Sequence, residues 1–157
     1  MLRLGLSVAV AIAVADQAFK AWMIPTMQET GAFAVTSFLN LVMVWNRGVS
    51  FGMFGGGALP PWLLAALGGA VCVGLGVWLR RADGRWLAVA IGAIIGGALG
   101  NIADRLARGA VADFFDFHVG AYHWPAFNTA DVAISIGVVM LLLDPLFRRD
   151  EKHRLGK

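Results

Sequence analysis

Residues 127–143 read "FNTADVAISIGVVMLLL", an amide and a carboxylate set at the mouth of a long apolar run. Asn128 has the chemistry of a helix N-cap, and Asp131, three residues on, stands where a capping box places its acid. An acid in the first turn also suits the positive end of the helix dipole. With the residues that follow, the apolar run predicts a helix over about 129–147, close to the roughly 20 residues that a membrane span needs. The question is whether Asp131 is only a cap.

The rest of the chain answers to the same solvent. Of 157 residues, 59% are hydrophobic and 15% are charged, and the mean hydropathy is +0.71. Soluble domains have about 45–50% apolar and about 25% charged residues, so this is a membrane-protein composition. Three further apolar runs are long enough to span, at about 4–24, 59–79 and 86–106. Twenty glycines suit helices that approach closely in lipid. The first run also carries features of a cleavable signal peptide: Arg3 before it, and Ala13 and Ala15 at A-x-A spacing within it. Its length favours a retained helix. Cys72, the only cysteine, lies inside an apolar run and reads as a packing residue.

With four spans both termini share a side. That side holds Arg3, the tight loop with Arg80, Arg81 and Arg85, and the tail 148–157 with Arg148, Arg149, Lys152, Arg154 and Lys157. These are nine of the thirteen basic residues. The excess of positive charge places it in the cytoplasm. Topology thus accounts for the net charge of +3, and no nucleic-acid partner is needed. Residues 25–58, rich in β-branched and aromatic residues with partial alternation at Leu39, Leu41, Met43 and Trp45, predict two or three short strands on the outer membrane surface. The "GGG" at 55–57 and the prolines at 60 and 61 close this segment and start the second helix. Residues 107–128 form a second outer segment, an aromatic interfacial loop. The expected architecture is a single mainly α membrane domain of four transmembrane helices, with a small β-rich extracytoplasmic part and this loop.

The polar residues converge by depth. At about 1.5 Å per residue, Asp16 lies roughly 18 Å and Lys20 roughly 24 Å along the first helix from its cytoplasmic end. Being four apart, they share a face. Asn101, Asp104 and Arg105 fall in the last turns of the third helix, and Asp131 in the first turn of the fourth. The outer segments add Asn46, Asp113 and Asp116. Taken singly, each has a bland reading: an i,i+4 ion pair, charge at a helix end, or a turn at Asn46. Together they put ionisable groups, which are rare and functional inside spans, at one level near the outer face. A proton-coupled transporter would spread them across the membrane or break its helices at the midplane. A scaffold built on glycine faces would leave them unexplained.

The cluster lacks a convincing nucleophile. Ser50 has no neighbouring base. His118 and His123, even with Asp113 or Asp116, do not have the spacing of a zinc site, so neither metal nor cofactor is expected. Carboxylates can work without either. Two close carboxyls share a proton, and the ionised member activates water while the protonated one polarises a carbonyl. The spacing alone does not say which carboxylates pair.

Four stretches in order, "DQAFK" (16–20), "NRGVSFG" (46–52), "GGALGNIADRLARGAVADF" (96–114) and "WPAFNTADVAIS" (124–135), resemble the lipoprotein signal peptidase family, also called signal peptidase II. The resemblance covers nearly the whole chain. It implies a membrane aspartic endopeptidase with Asp113 and Asp131 as the catalytic dyad. It also implies supporting or substrate-binding roles for Asp16, Asn46, Asn101, Arg105 and Asn128, and structural support from Lys20 and Asp104. Asp116 has no counterpart and reads as solvent-facing or loop-structuring. Phe19 stands where the family commonly has Thr or Ser. The implied substrate is a diacylglyceryl-modified prolipoprotein, cut just before its lipidated cysteine by a monomer in the bacterial inner membrane. Membrane lipid is the other partner.

Overall fold

The computed structural model describes residues 1–48 and 59–155; Ser50, the triple glycine and the end of "NRGVSFG" lie outside them. In chain order come α1 (Leu2–Thr30), β1 (Phe33–Thr36), β2 (Leu39–Asn46), α2 (Pro61–Arg80), α3 (Arg85–Arg108), β3 (Val111–Val119), β4 (Tyr122–His123) and α4 (Thr129–Leu155). Among the described residues three helices, α1, α2 and α3, are long and apolar enough to cross a membrane. Large apolar side chains on their outer faces, among them Val14, Trp22, Val73, Val77 and Leu106, are exposed. Outward-facing apolar surface on that scale calls for lipid.

α3 is the central helix, packed against α1, α2 and α4 and buried along most of its length. Glycines make the close approach possible. A Cβ on Gly96 would come within 2.6 Å of the Ala9 carbonyl of α1, and one on Gly97 would run into the Ala130 carbonyl of α4. At one end the core joins Ala9, Leu79, Leu87, Ala88, Ile91 and Ile95. At the other, Met23 and Met27 of α1 pack on Ala112 and Phe114 of β3.

Two boundaries differ from the sequence reading. α1 runs past Pro25 to Thr30 rather than ending at Ile24. A proline inside a helix forfeits one backbone bond. Here Met27 is buried against the β3 cluster, and the Thr26 and Thr30 hydroxyls donate to the carbonyls of Trp22 (2.8 Å) and Thr26 (2.9 Å). α4 likewise continues to Leu155 with Pro145 inside it, so most of the expected tail is helical.

The two outer segments are not separate. Residues 111–119 form a strand rather than a loop, and all four strands make one antiparallel sheet in the order β1-β2-β3-β4. β2 and β3 pair Asn46 with Val111, Val44 with Asp113 and Asn40 with Asp116, with a slip between Leu41 and Val44. α3 ends at Gly109, whose φ of 73° is left-handed and whose N–H returns to the Arg105 carbonyl at 3.1 Å. That tight stop brings β3, and so Asp113, back beside the end of α3.

Candidate active site

Asn128 and Asp131 form a complete capping box. The Asp131 N–H donates to Asn128 Oδ1 at 3.1 Å, and the Asn128 N–H donates to Asp131 Oδ2 at 3.1 Å. The side-chain amide of Asn128 does more. Its Nδ2 donates to Asp113 Oδ1 at 2.7 Å and to Asn101 Oδ1 at 3.2 Å. Asn101 Nδ2 donates in turn to Asp131 Oδ1 at 2.8 Å, and Asn46 Nδ2 to Asp113 Oδ2 at 3.1 Å. Every oxygen of Asp113 and Asp131 therefore has an amide donor, and one asparagine holds both carboxylates.

The two are unequal. Asp113 is only 1% exposed, whereas Asp131 borders a groove of about 580 Å³ bounded by Asn46, Trp124, Phe127, Val132, Ser135 and Ile136. Burial pushes the Asp113 carboxyl up to about 6, with Asp131 adding to the rise; Asn128, Asn46 and Lys20 oppose it. Arg105 lies within electrostatic reach of Asp131, Asp113 and Asp104. Its Nη1 donates to the Asn101 carbonyl at 3.4 Å, and its buried Nε has no hydrogen-bond partner among the described residues.

A second cluster supports the first. Lys20, fully buried, bridges Asp16 Oδ2 (2.9 Å) and Asp104 Oδ2 (2.8 Å) and donates to Asn101 Oδ1 at 3.3 Å. Asp104 also holds Arg108 at 2.6 Å and accepts the Ala112 N–H at 3.4 Å, one residue before Asp113. Asp104 and Arg105 thus point to different partners despite being adjacent. Gln17 and Thr129, absent from the sequence reading, join this cluster through Asp16. Arg108 had a visible signal, its i,i+4 spacing from Asp104. An amide or a hydroxyl next to charged residues gave none.

Asp116 stands apart. It accepts from Asn40 at 2.9 Å and pairs with His123 at 2.9 Å, which holds its carboxyl below the usual range and ties β2 to β4. Of the two sequence readings, this is the structuring one. His118 stacks on His123 at 5.0 Å, and among the described residues no three His, Cys, Asp or Glu side chains gather for a metal. Phe19, at the position where the resembled family commonly has Thr or Ser, fills space: it stacks on Phe115 at 6.0 Å and meets Phe114 edge-on at 5.9 Å, seating α1 on the sheet.

Apolar spanning helices around a buried polar centre, with two aspartates sharing one asparagine, define a membrane-embedded enzyme. Comparison with known proteins agrees. The family model for signal peptidase (SPase) II matches residues 8–147. A lipoprotein signal peptidase of Methylorubrum extorquens (strain PA1) is 49% identical over 92% of this chain and 86% of its own length. Another, from Rhodopseudomonas palustris (strain TIE-1), is 44% identical over 92% of each chain. A bacterial membrane enzyme solved by the in meso method at 2.3 Å is 30% identical, with a TM-score of 0.76 over 94% of this chain and 90% of that one. The chain belongs to the signal peptidase II family and is an enzyme of that family.

Proposed function

We propose that this enzyme removes the signal peptide from diacylglyceryl-modified prolipoproteins, with Asp113 and Asp131 as its catalytic dyad. The observation that carries the reading is Asn128, which donates to Asp113 through its side chain and to Asp131 through its backbone. Asp131, on the groove, takes a proton from water as that water attacks the scissile carbonyl. Asp113, whose neutral form burial favours, polarises the carbonyl and protonates the leaving nitrogen. Asn46, Asn101 and Asn128 hold the carboxylates, and Arg105 Nε, without a hydrogen-bond partner among the described residues, is the donor offered to a substrate carbonyl or ester.

The substrate fits the setting. Its acyl chains leave a bilayer only at about 0.8 kcal/mol per CH₂, so cleavage before the lipidated cysteine belongs at the membrane interface. The groove over Asp131 is continued by Val132 and Ile136 of α4, an apolar wall for lipid or signal helix. In this reading α4 is a fourth span, both termini are cytoplasmic, the site faces outward from the inner membrane, and one chain suffices.

Purified Asp113→Asn and Asp131→Asn should each insert normally and lose cleavage of a lipidated prolipoprotein. The unlipidated form should be a poor substrate of the parent enzyme, and EDTA should change nothing. Full turnover by either variant would remove that residue from the dyad.

A further inference from the structure

We infer that Thr129 and Gln17 are positioning residues that set the spacing of the two aspartates through the carboxylate of Asp16. The inference rests on the dyad reading. Thr129 is the first residue of α4, two before Asp131. Its hydroxyl donates at 2.5 Å to Asp16 Oδ1, on α1 and 113 positions away in sequence. Asp16 is 2% exposed, and its other oxygen accepts from Lys20 (2.9 Å) and Gln17 (3.2 Å). Gln17 Nε2 also lies 3.1 Å from the Gly100 carbonyl and 3.1 Å from Asp104 Oδ1, so its two hydrogens are shared among three acceptors on α1 and α3. Asp104 carries the link on to the Ala112 N–H, next to Asp113.

Two routes therefore join the dyad. One is the short amide route through Asn128 and Asn101. The other runs from Asp131 back to Thr129, across to Asp16, through Lys20 and Gln17 to Asp104, and out to Ala112 and Asp113. The amides orient the carboxylate planes. The second route fixes where the two backbones stand, because it ties the first turn of α4 and the start of β3 to the same point on α1. Gly100 allows the closeness, since a Cβ there would collide with the Asp16 carboxylate. Thr129 keeps its place only while its hydroxyl is engaged: a methyl in that position leaves Asp16 Oδ1 buried with one donor fewer and lets the α4 start shift. A displacement near 1 Å at reacting groups costs on the order of 100-fold in rate.

The test is steady-state cleavage of a lipidated prolipoprotein by Thr129→Val, Thr129→Ser, Gln17→Met, Asp113→Asn and Asp131→Asn, each normalised to the folded fraction on size exclusion. Thr129→Val keeps the shape and removes the donor. It should lower kcat about 10- to 100-fold with KM within about twofold, while Thr129→Ser stays within about threefold of the parent. Gln17→Met should lose kcat in the same sense. Wild-type kcat in Thr129→Val, a loss in Thr129→Ser equal to that in Thr129→Val, or a loss carried by KM would overturn the inference. If the aspartate variants are dead while Thr129→Val and Gln17→Met are normal, only this inference fails. Active aspartate variants would instead take away the dyad on which it stands.

Discussion

In the proposed mechanism Asp113 is the residue whose charge state most constrains the chemistry. Its carboxyl is pushed from 3.8 to about 6, first by burial, and a raised folded-state value makes ionisation destabilising. Its contribution to stability is whole below about pH 4, the unfolded value, and is lost as pH rises through about 6. The shift of about two units corresponds to about 3 kcal/mol. Unfolding in detergent at pH 4.5 and 8 should show the parent losing more stability over that interval than Asp113→Asn, by up to that amount. Activity has the same sign. If Asp113 must be protonated, kcat/KM falls about tenfold per unit above pH 6, and the limb in kcat lies higher because bound substrate further desolvates the group. A pH profile flat from 5 to 8 would reject Asp113 as the acid. For Asp131 the discriminating change is Asp131→Glu. A glutamate at this position still caps the helix, so thermal stability should stay within a few degrees. The carboxylate is moved by a methylene, so activity should fall at least about 100-fold. Near-normal cleavage would return Asp131 to the role of a cap.

At the scale of elements, the seam between α3 and α4 decides whether the site assembles. A Cβ on Gly97 would meet the Ala130 carbonyl and Ile134, one residue from Asp131. Gly97→Ala should therefore destabilise by about 1–3 kcal/mol, as overpacking does, and lower cleavage with it. Gly74→Ala on α2 meets nothing within 4 Å among the described residues and should be neutral or slightly stabilising, since alanine is the better helix former. Thermal unfolding of both variants checks the pair. The helices were legible because hydropathy and length are local properties, and the capping box at Asn128 and Asp131 because it lies within four residues. The sheet was not. Pairing β2 with β3 joins residues about 70 positions apart, and the aromatic richness of 107–128 signals an interface without saying that a strand passes through it. α1 runs beyond the expected end at Ile24 to Thr30, where Met27 is buried against a distant strand, a contact that no local pattern reports. The depth argument brought Asp16, Asn46, Asn101 and Asp131 to one level. Depth alone did not show that Asp104 turns toward Lys20 while Arg105 lies near Asp113 and Asp131, because neighbours on a helix share a level but differ by about 100° of rotation.

The molecule as a whole is asymmetric along its helices, and the proposed mechanism depends on that. The sheet, the groove and both aspartates gather where α1 and α3 end and α4 begins, while the basic loop between α2 and α3, the start of α1 and the end of α4 lie at the other ends of the helices. Among the described residues, three helices qualify as spans on length and composition. α4 leaves the same end of α3 as the sheet and runs antiparallel to it along the Gly97 and Gly137 seam, the latter against Ala90 and Ile94. Its outward residues Ile136, Val139 and Leu142 are apolar and exposed. A surface helix would have a polar face to offer water; these exposed apolar residues fit the proposed reading of α4 as a fourth span, in which both termini are cytoplasmic. Replacing Cys72, the only cysteine, by serine gives a background for single-cysteine labelling. In right-side-out vesicles a membrane-impermeant maleimide should react with Val119→Cys, on the most exposed part of β3, and should reach Lys157→Cys only after permeabilisation. Equal reaction at both before permeabilisation would leave α4 on the surface, and the groove over Asp131 would then open to water instead of lipid, which is incompatible with an acylated substrate entering from the bilayer.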